Sequence, residues 1–239
     1  MIELSPMTER QTKSWLGLLD VAASMANGWT VVGGQMVQLH CFERGAFPTR
    51  PTEDADVVLD VRTQPDALTT FTKTLTDYGF VSAGESWEGH QHRWVRDGAV
   101  IDILIPRHLG VKASSRRGVS GGTTLETPGA QSALNRSQPV EVLVDGRSGF
   151  VHRPDLFGAI AAKSAAFTVQ NDRYRQRHLI DVLTLALLID DRDASSPPLT
   201  PLELERIRNV LNLLQNDPIP GAAMSDRQRS IDLLALVVG

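Results

Sequence analysis

The sequence predicts a mixed α/β fold, with a mixed β-sheet flanked by helices and then a C-terminal helical half. Two observations support this prediction. Up to residue 153, short apolar runs typical of strands alternate with amphipathic helical segments, and after Pro154 the apolar residues recur mainly at helical spacing. We therefore expect a sheet-containing domain over residues 1–153 and a helical domain over residues 154–239.

The N-terminal half contains three predicted helices, in which apolar residues recur three and four positions apart. These helices span residues 8–25, 36–42 and 65–78. Gly28 and Gly79 follow the first and the third, as expected for residues that adopt a positive φ at a helix C-terminus. The second helix follows a predicted tight turn at Gly33 and Gly34.

The predicted strands are short and either apolar or alternating. They span residues 29–32, 54–61, 90–96, 99–105, 140–144 and 150–152. Asp97 and Gly98 favour a tight hairpin between two of these strands. Residues 107–129 are rich in Gly, Ser, Thr and basic residues, so we expect a long loop there.

The C-terminal half is predicted to be helical throughout, apart from a break between Ser195 and Pro198. The expected helices span residues 154–167, 174–189, 200–215 and 225–238. No internal repeat is evident.

The composition is that of a soluble globular protein, because 41% of the 239 residues are hydrophobic and 22% are charged. A formal net charge of −4 argues against a protein that coats nucleic acid non-specifically, since that affinity requires many Lys and Arg contacts with phosphates. The chain shows no signal-peptide pattern and no apolar run of the roughly 18 residues that a membrane span needs. We expect a cytoplasmic protein with no membrane partner, in which Cys41 is a free thiol.

Two aspartates at the start of a predicted strand are the most informative feature. Asp54 and Asp56 are two residues apart, so both side chains project from the same face of the strand. Carboxylates placed in this way bridge hard cations such as Mg²⁺, which prefer oxygen ligands and often share them with substrate phosphates. Without further support, such a pair is more often a solvated start of a strand.

Asp102 favours the metal interpretation, because it interrupts an apolar strand where an unpaired carboxylate would cost several kcal/mol. A metal site shared with Asp54 and Asp56 on a neighbouring strand would compensate its charge. A salt bridge to Arg93 is the alternative. Asp60 is also an even number of residues from the first two aspartates, so it projects from the same face of the strand and is the alternative third acid.

Gly33 and Gly34 predict a phosphate site, because glycines at a helix N-terminus let backbone N–H groups approach an anion. A pair of glycines alone is more often just a tight turn. Their position after a strand and before the Asp54 and Asp56 motif strengthens the phosphate interpretation.

These motifs resemble those of the nucleotidyltransferase superfamily. VVGGQMVQLH and RPTEDADVVLD are similar to its glycine turn, helix and Ser/Thr-x-Asp-x-Asp strand, and most similar to the AbiEii-type toxin nucleotidyltransferases, which include the MenT toxins. Arg50 and Thr52 match the Arg that precedes the Ser/Thr by two residues in that family. Lys163 and Asp181 match a Lys and an Asp of its helical half, whereas Gln35 stands where many superfamily members have Ser.

The resemblance implies a nucleotidyltransferase-like sheet domain, a helical domain that completes the active site, and transfer of a nucleoside monophosphate from an NTP. The catalytic residues would be Asp54, Asp56, Lys163 and Asp181. The nucleotide-binding residues would be Gly33, Gly34, Gln35, Arg50, Thr52 and Lys163. The metal ligands, for Mg²⁺ or Mn²⁺, would be Asp54, Asp56 and Asp102.

Lys163 and Asp181 also have structural interpretations. Lys163 lies in an apolar helical run, where its ammonium must reach a partner or snorkel to the surface. Asp181 can pair with Arg177, four residues before it on the same helix.

The resemblance further implies a toxin that acts on tRNA 3′ ends, with RNA and a protein antitoxin as partners. Lys112, Arg116 and Arg117 in the predicted loop are candidates for the RNA contacts, and residues 173–178 form a second basic run. The alternatives are a nucleotidyltransferase that modifies a small molecule or a protein hydroxyl, and a non-catalytic nucleotide-binding regulator. The presence of all three aspartates argues against the regulator.

Overall fold

The computed structural model describes residues 1–4, 6–170, 172–216 and 224–239. The strands are β1 (Ile2–Glu3), β2 (Trp29–Val32), β3 (Ala55–Leu59), β4 (Val81–Ser82), β5 (Arg93–Arg96), β6 (Ala99–Pro106), β7 (Leu125–Thr127), β8 (Ser137–Val144) and β9 (Arg147–Pro154). The helices are α1 (Glu9–Ser24), α2 (Gly33–Glu43), α3 (Ala67–Asp77), α4 (Val111–Ser114), α5 (Ala130–Asn135), α6 (Leu156–Ala166), α7 (Gln176–Ala186), α8 (Pro201–Asn216) and α9 (Met224–Val238), and Asp191–Ser195 form a short 3₁₀ helix.

The larger sheet has the strand order β2-β3-β6-β5-β4, and β7 pairs with the end of β6 beyond the part that β5 covers. β3 and β6 are parallel, whereas β2 pairs with β3 and β5 pairs with β6 in antiparallel fashion. The sheet is therefore mixed, and the predicted mixed α/β fold is confirmed.

A second sheet has the order β1-β8-β9 and is also mixed, because β1 is parallel to β8 and β8 is antiparallel to β9. β8 and β9 are longer than the predicted strands at residues 140–144 and 150–152. Asp145 and Gly146 form the turn between them with positive φ values of 48° and 77°, like Asp97 and Gly98 in the predicted hairpin.

One hydrophobic core joins both halves of the chain. It includes Trp15 of α1, Phe71 of α3 and Ile103 of β6, together with Leu179 of α7 and Leu234 of α9. A capping box between Thr8 and Gln11 starts α1, and Cys41 is a buried free thiol. The division into domains at residue 153 stays a prediction. No helix in the described part of the chain combines the length and apolarity that crossing a membrane requires.

The predicted helices are confirmed, with shifts at their ends. The shift that affects the site most is at the start of α2. This helix begins at Gly33, so the two glycines form its first turn instead of preceding it. The prediction of an uninterrupted loop over residues 107–129 is wrong, because α4 and β7 lie within it. Both elements are too short to show a periodic pattern in the sequence.

Candidate functional site

The strand register brings three aspartates together on one face of the larger sheet. Asp56 of β3 lies directly opposite Asp102 of β6, and Asp54 comes just before β3. One carboxylate oxygen from each residue lies within 4.8 Å of the others. We call Asp54, Asp56 and Asp102 the acidic cluster. All its donors are oxygen atoms, which are the ligands that Mg²⁺ and Mn²⁺ prefer.

Asp60 does not belong to the acidic cluster. It follows the opposite end of β3, where its carboxylate accepts hydrogen bonds from the backbone N–H and the hydroxyl of Thr63, at 3.1 and 2.6 Å. This arrangement stabilises a turn. The structure therefore brings Asp102, and not Asp60, to Asp54 and Asp56.

Arg93 is paired with the acidic cluster, as the alternative interpretation of Asp102 predicts. β5 places Arg93 directly opposite Asp102. The Nε and Nη2 atoms of Arg93 donate to the two carboxylate oxygens of Asp102 at 2.8 and 2.6 Å, and Nη2 lies 3.3 Å from Asp54 Oδ2. The salt bridge and the cluster of three acids thus exist together.

The acidic cluster carries more negative charge than Arg93 balances. Burial, followed by repulsion from Asp54 and Asp102, raises the pKa of Asp56 to about 7. The same hydrogen bonds to Asp102 raise the pKa of Arg93, so its guanidinium remains charged. A cation bound among the three carboxylates would remove the repulsion that Asp56 experiences.

Gly33 and Gly34 pack directly against the motif that carries the acidic cluster. Gly33 has a φ of +68°, and a Cβ atom there would overlap the carboxylate of Asp56. A Cβ atom on Gly34 would lie 2.7 Å from the side chain of Thr52. Because Val32 provides no side-chain cap, the first N–H groups of α2 remain available beside the acidic cluster.

Lys163 and Asp181 form a buried ion pair that also includes Arg50. Lys163 Nζ lies 2.6 Å from Asp181 Oδ2, and Arg50 donates to both oxygens of Asp181 at 2.9 and 2.8 Å. Lys163 and Asp181 are buried, so the snorkelling interpretation of Lys163 is wrong. The pairing of Asp181 with Arg177 is also wrong, because Arg177 pairs with Asp172.

Each member of this ion pair shifts the pKa of the other toward its charged form. Burial lowers the pKa of Lys163, and the adjacent Asp181 carboxylate opposes that shift. Burial alone would raise the pKa of Asp181, but Lys163 and Arg50 hold it below its usual value. Asp181 thus connects Lys163 on α6 to Arg50, which lies two residues before Thr52.

A cavity of about 520 Å³ lies beside the acidic cluster, and we call it the cluster cavity. Gly33 and Asp56 line it on the sheet side, and Lys163 lines it from α6. Val58 and Leu104 contribute an apolar surface. The cavity therefore combines a helix N-terminus, a carboxylate and an ammonium with apolar walls, which suits a ligand with both phosphates and a ring system.

Gln35 lies apart from the residues that line the cluster cavity. Its side chain is completely buried, and neither its amide oxygen nor its amide nitrogen has a hydrogen-bond partner among the described residues. Contact between Gln35 and a nucleotide stays a prediction.

His178 and Asp172 line the cluster cavity, although neither was predicted as a residue of the active site. His178 Nε2 lies 3.0 Å from Asp172 Oδ2, and both residues line the cluster cavity. Burial, reinforced by the positive charge of Lys163, lowers the pKa of His178 to about 4, so the imidazole is neutral at pH 7. Their sequence signal was weak, because His178 is one member of a basic run and Asp172 lies next to that run.

The basic loop residues predicted to contact RNA are not among the residues that line the cluster cavity. The hydroxyl of Thr69 donates to the backbone carbonyl of Arg117 at 2.8 Å, which anchors the loop to α3. Lys112 and Arg116 also lie outside the residues that line the cavity. Arg107, at the start of the same segment, is a cavity residue.

Comparisons with known proteins show a likeness to a solved structure. The chain is similar to the solution structure of the antibiotic-resistance factor ANT(2'')-Ia, with 12% sequence identity and a TM-score of 0.38. The match covers 96% of this chain and 92% of that chain. No protein-family model matches the sequence, and no curated protein matches it. Interpretation of the site therefore depends on its own geometry, and assignment to the AbiEii type stays a prediction.

Proposed function

We propose that this protein is a metal-dependent nucleotidyltransferase that transfers a nucleoside monophosphate from an NTP to an acceptor hydroxyl. One observation carries the proposal: the two glycines that start α2 pack against the strand motif that supplies Asp54 and Asp56, while β6 adds Asp102. A phosphate site and a cluster of hard-cation ligands are thereby adjacent, as NTP chemistry requires.

The acidic cluster fits a divalent metal, because its donors are all carboxylate oxygens, and because burial together with repulsion from Asp54 and Asp102 raises the pKa of Asp56. Asp54, Asp56 and Asp102 would hold Mg²⁺ or Mn²⁺. When bound, such a metal neutralises triphosphate charge and stabilises the leaving pyrophosphate.

The remaining site residues bind and orient the NTP. The free N–H groups at the start of α2 donate to phosphate oxygens. The ammonium of Lys163 lies in the wall of the cluster cavity and adds a positive charge for the triphosphate. Asp181 holds Lys163 and Arg50 through its two oxygens, so its role is to position these cations.

The transfer forms a bond between the acceptor oxygen and the α-phosphorus and breaks the bond from that phosphorus to the pyrophosphate oxygen. The acceptor hydroxyl loses its proton to solvent water, and pyrophosphate leaves with the electron pair of the broken bond. The chain accelerates this step mainly by positioning the reactants and placing positive charge next to the phosphates, since little covalent chemistry is required of the protein.

For the acceptor, we favour the 3′ end of an RNA, as in a toxin that modifies tRNA. Arg107 and Arg177 line the cluster cavity and supply positive charge for a backbone. Tyr174 is 73% exposed and Trp87 is 93% exposed, each within a few residues of a residue that lines the cavity, and exposed aromatic rings stack on unpaired bases. This proposal includes a cytoplasmic location and a protein antitoxin.

A hydroxyl on a cationic small molecule is the second candidate acceptor. Glu88 and Glu126 also line the cluster cavity, and neither forms part of the acidic cluster. These carboxylates would attract amino groups and repel an RNA backbone.

Incubation of the protein with each α-labelled NTP and Mg²⁺ tests the proposal, with total RNA or a panel of amino-bearing small molecules as the acceptor. We expect label on RNA, and none when Asp56→Ala replaces the wild type. Label on small molecules alone would select the second acceptor. Absence of label on every acceptor, with NTP still bound, would favour a non-catalytic nucleotide-binding regulator.

A further inference from the structure

Arg93 occupies the position that a cation would take at one side of the acidic cluster. Its guanidinium contacts two of the three carboxylates, with distances of 2.6 Å to Asp102 Oδ2 and 3.3 Å to Asp54 Oδ2. Among the described residues, these two aspartates account for all of its side-chain hydrogen bonds. The positive charge of Arg93 is therefore committed to the acidic cluster.

The two partners of this salt bridge differ in their freedom to move. The Arg93 side chain is 45% exposed, whereas that of Asp102 is 10% exposed and belongs to the interior of β6. Rotation of the long Arg side chain toward solvent is therefore cheap, because the guanidinium can be hydrated there. Asp102 has no comparable alternative position.

We propose that Arg93 is an exchangeable counter-ion of the acidic cluster, which it balances in the metal-free protein and leaves when a divalent cation binds. This inference rests on the metal site of the proposed function and concerns how that site is filled. A divalent cation among the same oxygens would repel the adjacent guanidinium and compete for the lone pairs that Arg93 now uses. Arg93 thus lowers the affinity for metal, and also holds Asp54 and Asp102 together without it.

Mn²⁺ binding to the full chain, measured by electron paramagnetic resonance of the free ion, tests this inference. We expect Arg93→Gln to bind Mn²⁺ at least about fivefold more tightly than the wild type, because a neighbouring positive charge has been removed. Arg96→Gln is the matched control. Arg96 lies on the same strand but pairs with Asp20, so its loss should leave Mn²⁺ affinity within about twofold of the wild type.

A measurement on the wild type keeps the test independent of how well the variant folds. The Nε–H resonance of Arg93 can be assigned by nuclear magnetic resonance from its absence in Arg93→Gln or, failing that, in Arg93→Lys. We expect saturating Mg²⁺ to shift this resonance toward that of a solvated arginine, because the bond to Asp102 is lost.

The outcomes separate this inference from the proposed function. Unchanged or weaker Mn²⁺ binding by Arg93→Gln, or an unmoved Arg93 resonance when calorimetry shows that Mg²⁺ is bound, overturns the exchange and leaves the metal site in place. If neither the wild type nor Arg93→Gln binds Mn²⁺, the metal site and the exchange both fail. Mn²⁺ binding by Arg93→Gln but not by the wild type would support the exchange, because Arg93 would then be what keeps the cation out.

Discussion

Asp56 and Asp102 face each other directly across the parallel pairing of β3 and β6. Two like charges in opposed positions destabilise a sheet unless a cation lies between or beside them. Arg93 supplies one positive charge to Asp102, and Asp54 adds a further negative one. Repulsion among the carboxylates therefore destabilises this part of the sheet, and binding of a divalent cation would remove that repulsion.

Replacement of Asp54 or Asp56 by Ala should lower transfer by at least about a thousandfold, since several kcal/mol of charge stabilisation disappear with the metal. The fold should persist, because neither side chain belongs to the hydrophobic core. Initial rates with saturating NTP and Mg²⁺ measure the effect. Asp60→Ala, at the other end of β3, is the control and should retain activity. Transfer near the wild-type rate in Asp56→Ala would contradict the metal assignment.

Asp56→Asn should stabilise the metal-free protein increasingly as the pH rises. In the folded protein the pKa of Asp56 is about 7, above its ordinary value of 3.8, so the folded state holds a proton that the unfolded state has lost. The stability due to this carboxyl is complete below about pH 4 and is lost as the pH rises to 7. Asn does not titrate, so its advantage should grow between pH 5 and pH 8.

Thermal unfolding in a metal chelator at pH 5, 6, 7 and 8 measures this difference. Subtraction of the wild-type curve from that of Asp56→Asn cancels the other titrating groups. A constant difference across this range would show that Asp56 has an ordinary pKa. Excess Mg²⁺ should reduce the advantage of Asn, because the bound cation removes the repulsion.

The parts of the site that depend on spacing within one segment were predictable. Strand parity placed Asp54 and Asp56 on one face, and the glycines could be assigned to the start of a helix. The sequence named both kinds of partner for Asp102, the other two acids and Arg93, but it could not decide between them, because that choice depends on which strands are neighbours. The structure pairs β6 with both β3 and β5, so Asp102 contacts the other acids and Arg93 together.

Contacts between distant segments account for most of what the sequence did not predict. Arg50 and Asp181 are separated by more than half the chain and meet only after α7 packs near α2. Sequence spacing alone suggested the local partner Arg177 for Asp181. The role of His178 was not predictable for the same reason, because its pKa depends on its burial and on the charge of Lys163 from another helix.

Lys163→Met should reduce transfer by about a hundredfold or more while the protein stays folded. Met retains the apolar stem, and Asp181 keeps the two hydrogen bonds from Arg50, so no unpaired carboxylate remains in the core. The loss should appear in transfer because the triphosphate loses a positive charge. Rates and circular dichroism on the same preparation separate the two effects. If Lys163→Met transfers at the wild-type rate, then Lys163 contributes only packing.

Gly33→Ala and Gly45→Ala form a matched pair that tests the close approach of α2 to Asp56. Gly33 and Gly45 have φ values of +68° and +67°, so Ala should cost each variant about 1 kcal/mol in backbone strain. A Cβ atom at Gly45 has open space, whereas one at Gly33 overlaps the Asp56 carboxylate. Gly33→Ala should therefore lose Mn²⁺ binding and transfer, and Gly45→Ala should keep both. Equal activity in the two variants would show that the close approach has no functional role.

Arg107→Ser should weaken RNA binding and leave NTP binding unchanged. Arg107 lines the cluster cavity, and each phosphate contact that a protein loses lowers the slope of log affinity against log salt by roughly one. We expect the KM for RNA to rise several-fold at low salt and to depend less on salt, with the KM for NTP constant.

Lys112→Ser is the control, because Lys112 is an exposed cation of the same segment that lies outside the residues lining the cavity. If Lys112→Ser raises the KM for RNA as much as Arg107→Ser does, the RNA contacts the loop and not the residues that line the cavity. If Arg107→Ser instead raises the KM for NTP, then Arg107 contacts the nucleotide, and the acceptor must approach from the side of Tyr174 and Arg177.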